Sequence, residues 1–306
     1  MKIISTTFVV LIFMVLSAIT VSAQDKQEYT GALLWKVSGN GLEKPSYILG
    51  THHLAHVSFV DSIPGLKAVI DNTQQTVGEL LMSDQAAMQA KIQEGAMMPA
   101  GESYKNMLSA EDYAKLDQGL KELFSVGLDQ FGQLKPGMIS MLYTITLYTR
   151  FYPGFNPVSH EAIDAYVQRI AKEQNKSVLG LETVEDQITA LFDSEPLKDQ
   201  AITLACVVGQ GESMKGSLDK LNDYYRKGEL SKMYDLAFND PDDTCRSSQN
   251  YQNALNKDRN DKWMLKLPQI MKDKSSLIAV GALHLAQKDG ILYQLAEKGY
   301  KVEAVK

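Results

Sequence analysis

The chain has 306 residues, 44% of them hydrophobic and 22% charged, with 37 acidic against 31 basic side chains and a net charge of −6. An acidic chain without a basic run excludes nucleic acid or an anionic membrane surface as partner. The apolar content excludes a disordered chain, and the length suffices for one large domain.

The N-terminus opens with Met1-Lys2, an apolar run from Phe8 to Ile19, and Val21-Ser22-Ala23 ahead of Gln24. A short basic start, an apolar core and small residues at −3 and −1 describe a cleavable signal peptide. The apolar core is short for a permanent span of about 20 residues. Residues 1–23 are therefore read as a leader and 24–306 as one exported domain, periplasmic or secreted, with no stable membrane span after cleavage.

Residues 33–37 and 46–49 read as strands, the second ending at Gly50. A helix is expected over 64–72, with Pro64 in its first turn. Residues 76–81 read as a strand that contains Glu79. From 86 to 152 the apolar spacing turns helical, with Ser109 and Asp112 forming a cap. Met82, Met88, Met97 and Met98 fit core filling and lid packing better than metal binding. An amphipathic helix over 160–175, a strand over 177–181 and a helical stretch over 184–240 follow. Residues 240–243, Asp-Pro-Asp-Asp, form a surface turn that lacks the spaced oxygen ligands of a calcium loop. A strand over 275–280, a helix over 287–298 and a last strand over 300–305 close the chain. The predicted fold is α/β: a mixed central sheet from N- and C-terminal strands, flanked by helices, with a helical middle insertion. Two cysteines in an exported chain, Cys206 and Cys245, are expected to pair.

One internal echo carries the chemistry. Residues 46–54 read Ser-Tyr-Ile-Leu-Gly-Thr-His-His-Leu, and 277–285 read Leu-Ile-Ala-Val-Gly-Ala-Leu-His-Leu. Each is an apolar strand followed by Gly-x-x-His-Leu, in a chain with only five histidines. Ligands in open α/β sheets collect beyond the carboxyl ends of strands, so side-by-side elements of this kind would join His53 and His284. Glu79, within an apolar strand, needs a cation, and Glu182 follows another strand. Two imidazoles and a carboxylate suit Zn²⁺, Mn²⁺ or Co²⁺, with the metal activating water and a second carboxylate as base. Without a metal, a histidine is itself the base. His52 and His160 are weaker candidates, and His56 shares a helical face with His53 as a possible second ligand. Arg259 lies in a polar helical stretch. A solvated face is its plainer reading, and a partner for an oxyanion or carboxylate the functional one.

Gly50-Thr51-His52-His53, Glu79, Gly180-Leu181-Glu182-Thr183 with Gln187, Arg259-Asn260 with Trp263, and Gly281-Ala282-Leu283-His284-Leu285 occur in that order. The ordered set resembles the TraB/GumN family, which includes the Tiki proteases and the pheromone-shutdown protein PrgY, over roughly residues 30–305. The resemblance implies an α/β fold related to erythromycin esterase and the ChaN haem-binding proteins. For Tiki-like members it implies a peptidase active with Mn²⁺ or Co²⁺. By matched motif it carries over His53, Glu79, Arg259 and His284 as active-site residues, with His53, Glu79 and His284 as the metal ligands. Tiki proteins carry a C-terminal membrane anchor, whereas this sequence reads as ending on a strand. The expectation is an exported metal-dependent hydrolase, a peptidase acting on a peptide or protein. Its alternatives are a non-catalytic protein that sequesters a peptide or haem-like ligand, and a metal-free esterase with a histidine base.

Overall fold

The computed structural model describes residues 28–82, 85–157 and 159–306; the predicted leader at 1–23 lies outside them. Its strands are β1 (Leu34–Ser38), β2 (Ser46–Thr51), β3 (Gln75–Gly78), β4 (Ser177–Gly180), β5 (Ser276–Gly281) and β6 (Lys301–Ala304). They form one mixed sheet in the order β4-β3-β5-β2-β1-β6. The first four in that order run parallel, while β1 pairs antiparallel with both β2 and β6. The continuous apolar run Leu277-Ile278-Ala279-Val280 is buried, as a parallel strand covered on both faces requires. Helices Leu66–Asn72, Ile163–Glu173, Lys257–Met264 and Ile291–Glu297 bury apolar side chains in the core that surrounds the sheet. The expected α/β class and mixed sheet are both present.

The echo resolves into neighbouring parallel strands. Gly50 pairs with Val280 and Thr51 with Gly281, so the two Gly-x-x-His segments leave the sheet side by side at its carboxyl edge. The third predicted strand is shorter than expected, ending at Gly78, so Glu79 stands just past the strand rather than within it. The cause is Gln168, on the helix Ile163–Glu173. Its amide donates to the Leu80 carbonyl and accepts from the Met82 N–H. The Gln168 amide nitrogen also fills the space a Cβ on Gly78 would need. That helix itself begins at Ile163, not at His160, because His160 is engaged elsewhere. The helix predicted from Pro64 likewise starts later, at Leu66, behind a left-handed Gly65.

The helical middle has its own apolar core, in which Leu116, Leu120, Ile139, Leu147 and Leu204 are buried together. Ser109 caps the helix Ala110–Phe124 by accepting from the Asp112 N–H. Of the four methionines read as packing residues, Met98 lies in this core and Met97 is exposed. The region read as one helical stretch from 184 to 240 is a series of shorter helices, among them Leu197–Gln210 and Met214–Lys227. Cys206 and Cys245 are bridged, with Cα atoms 5.5 Å apart. Among the described residues no helix is long and apolar enough to cross a membrane.

Candidate active site

Four parallel strands end at one edge, and each delivers a polar side chain within four residues of its end: β2 leads to His53, β3 to Glu79, β4 to Glu182 and β5 to His284. The fifth member, Arg259, comes from the helix Lys257–Met264. Its side chain is 14% exposed, against 11% for Glu79 and 5% for Glu182, so the solvated-face reading of Arg259 is wrong.

All five guanidinium N–H groups are used. Nε and Nη2 donate to the two oxygens of Glu182, at 3.1 and 2.6 Å. Nη2 also donates to Glu79 Oε2 at 2.6 Å. Nη1 reaches the Leu255 carbonyl and His284 Nε2, at 3.2 and 3.1 Å. Trp263 adds its indole N–H to Glu182, and its ring lies beneath the guanidinium, 4.8 Å from centroid to Cζ. Glu79 Oε1 accepts from the Gly281 N–H at 2.7 Å, and Gln187 donates to Oε2 at 3.3 Å. Burial pushes the Glu79 carboxyl up. The charges of Arg259 and His53 and the Gly281 N–H outweigh it and hold the group below the ordinary carboxylate range.

The tautomer of His284 follows from its partners. Asn260 is fully buried, and its amide NH₂ is committed to the backbone carbonyls of His284 and Asp289. Its oxygen therefore accepts from His284 Nδ1, 2.7 Å away. Nε2 is left as a bare lone pair, which takes the Arg259 N–H. Burial holds this imidazole neutral, lowering its pKa to about 3.

His53 is placed differently. Its side chain is 65% exposed, and Nδ1 lies 3.4 Å from Asp164 Oδ2. The Asp164 carboxylate raises the imidazole pKa above the ordinary 6.5. Asp164 is itself buried, with Oδ1 unpaired among the described residues, so the carboxylate is held in place behind the ring. His160 donates from Nε2 to the His53 carbonyl at 2.7 Å, which fixes the loop. His52 accepts the Leu54 N–H on Nδ1 and is kept neutral by burial. His56 caps a short 3₁₀ turn by accepting the Ser58 N–H on Nδ1, so its role here is local and not that of a second ligand.

The expected ligand set does not form. Glu79 and His284 approach to 3.9 Å between Oε1 and Nε2, but the His53 ring is turned to Asp164, and Arg259 takes the His284 Nε2 lone pair and one on Glu79 Oε2. Among the described residues no group of three His, Cys, Asp or Glu side chains is disposed to hold an ion. The residues as arranged do not fit a resident divalent metal. Nor has Arg259 a spare N–H for an oxyanion. Two side chains that matter here were not singled out in the sequence, Asp164 and Gln168. Both are polar residues on the buried stripe of an amphipathic helix, alongside Ile163, Val167 and Ala171, and a charge on that stripe is the signal that marks them.

The model of the TraB/PrgY/gumN family matches residues 33–304. The chain belongs to this family. The matched span takes in all of the sheet edge just described, from His53 to His284. Comparison with curated proteins and with solved structures returned no match. Two cavities lie away from this edge, in the helical middle. One of about 200 Å³ is lined by Glu195, Gln200 and Cys245, and one of about 460 Å³ by Glu122, Tyr143 and Arg150.

Proposed function

We propose that this member of the TraB/PrgY/gumN family is an exported hydrolase that cleaves an acyl bond, a peptide bond foremost, with His53 as its base. The observation that carries the reading is the exposed His53 imidazole backed by the buried Asp164 carboxylate, at an edge where four strand ends meet. Nδ1–H faces Asp164, which leaves Nε2 for the substrate side. Nε2 takes a proton from water as the water oxygen bonds to the carbonyl carbon, and the carbonyl π pair moves onto its oxygen. When that pair returns, the C–N bond breaks and the proton on Nε2 passes to the leaving amine. Export is supported by the leader-like N-terminus together with the bridged cysteines, which persist in an oxidising compartment. The metal-dependent form of this reading is set aside because Arg259 takes the His284 Nε2 lone pair and stands between the Glu79 and Glu182 carboxylates.

A base must be deprotonated, so peptide cleavage is expected to rise with pH through a pKa above 6.5. Asp164→Asn removes the cause of that shift and moves the rise to lower pH. His53→Gln is expected to lower kcat by about 10²–10⁴-fold. The assay is cleavage of a fluorogenic peptide library by the mature chain. Equal turnover by wild type and His53→Gln would refute the assignment of His53, and peptide binding without turnover would favour the sequestering alternative.

A further inference from the structure

We propose that Arg259 is a built-in cation: its guanidinium occupies the centre of what would otherwise be a divalent-metal site formed by Glu79, Glu182 and His284. The inference concerns the same edge as the proposed function but rests on its geometry alone, not on catalysis at His53.

Two carboxylates buried this deeply require a positive charge between them. The guanidinium supplies it, and its distances are close to those of an ion. Nη2 lies 2.6 Å from both Glu79 Oε2 and Glu182 Oε1, and Nη1 lies 3.1 Å from His284 Nε2. Carboxylate ligands of zinc sit about 2.0–2.2 Å from the metal, so both carboxylate oxygens lie within about half an ångström of bonding distance to the Nη2 position, while the His284 imidazole meets the neighbouring Nη1 and stands 3.9 Å from Glu79 Oε1.

The supports behind these donors are those a metal ligand needs. His284 presents the bare Nε2 and anchors Nδ1–H on Asn260, the arrangement that orients metal-bound histidines. Glu79 has its other oxygen on the Gly281 N–H and Glu182 its other oxygen on the Trp263 indole. The saturation of all five Arg259 N–H groups shows what the residue does. It neutralises and cross-links, and it has nothing left with which to grip a substrate.

Loss of the guanidinium should therefore create an ion site. The test is direct binding of Co²⁺ and Mn²⁺ to the chelator-stripped mature chain, by titration calorimetry and thermal shift. Activity is not read, so failure of the hydrolase proposal would leave the result standing. Wild type is expected to bind neither ion stoichiometrically and to keep its Tm. Arg259→Ala is expected to take up one Co²⁺ per chain, to gain the visible absorption of a ligated cobalt ion, and to rise in Tm with added ion. A further Glu182→Gln change in that background is expected to lower the affinity at least tenfold. Arg259→Gln, bulkier and uncharged, serves as the second variant where Arg259→Ala does not fold alone. Stoichiometric binding by wild type that is lost in His284→Ala overturns the proposal. So does a folded Arg259 variant that ignores both ions, and so does failure of both variants to fold with the ions supplied.

Discussion

The sheet edge and the helical middle solve the burial problem in opposite ways. The helical core is filled by Leu116, Leu120, Ile139 and Leu147 and leaves cavities between its helices. Its cross-links include the disulfide and the ion pairs Lys135–Asp193 and Arg150–Glu212. At the sheet edge, buried charge replaces buried hydrocarbon. Glu79, Glu182, Arg259, His284 and Asn260 hold one another, Arg259 and Asn260 from one helix and the other three from just past three different strands. Packing of hydrocarbon tolerates gaps, whereas a buried ion network requires every partner. The region with the stricter requirement is the one that carries both Gly-x-x-His segments.

The contrast can be broken experimentally. Its largest expected effect is in Arg259→Ala without added metal, which leaves two buried carboxylates unpaired and should cost about 3–5 kcal/mol of unfolding free energy by urea titration. A near-wild-type midpoint would mean the network contributes little. Replacing Cys206 and Cys245 by serine opens a crosslink between residues 39 apart in sequence and should cost about 3–4 kcal/mol. Peptide cleavage per folded molecule should stay unchanged, and a matched loss of turnover would show that the two regions are coupled.

Per unit of pH, a smaller effect concerns titration. His284 and His52 are held neutral by burial, with pKa lowered to about 3 and about 4. Between those values and 6.5 the unfolded chain binds their protons and the folded chain does not. Stability therefore falls as pH falls from 6.5 toward 4, by up to about 1.4 kcal/mol per pH unit for each. His284→Gln should flatten that slope, whatever it does to the stability at neutral pH. The smallest effect is expected for His53→Ala. The side chain is exposed, so the urea midpoint should move by less than about 0.5 kcal/mol. A large loss there would make His53 a packing residue and place it with the buried network after all.

How legible these regions were depends on the range of the signal. The Gly-x-x-His echo is local, an apolar run and a turn within nine residues, so the placement of His53 and His284 at neighbouring strand ends was readable. Glu79 was recognised as a charge needing a cation, but the end of its strand is set by Gln168, far along the chain, and no local pattern announces that. Arg259 looked solvated because its own helix is polar. Its partners Glu182 and Glu79 stand 77 and 180 residues away. Asp164 was hidden for the same reason: a charge on an apolar stripe declares itself only when the helix is docked and a histidine is found opposite. The cysteine pair was read from its count and compartment, and the bridge agrees.

The strand order bears on when the edge can exist at all. The central strand β5 joins residues 276–281 to β2 and β3 on either side of it, and both of those are made from the first 78 residues. A chain that crosses a membrane from its N-terminus therefore delivers His53 and Glu79 long before the strand that brings His284. Pairing across such a sequence distance is slow, because the intervening loop must close before any contact rewards it. Until the last tenth of the polypeptide has emerged, β2 and β3 lack the neighbour that separates them, and Glu79 has neither Gly281 nor His284. The strand order makes completion of the chain a precondition for assembling the edge.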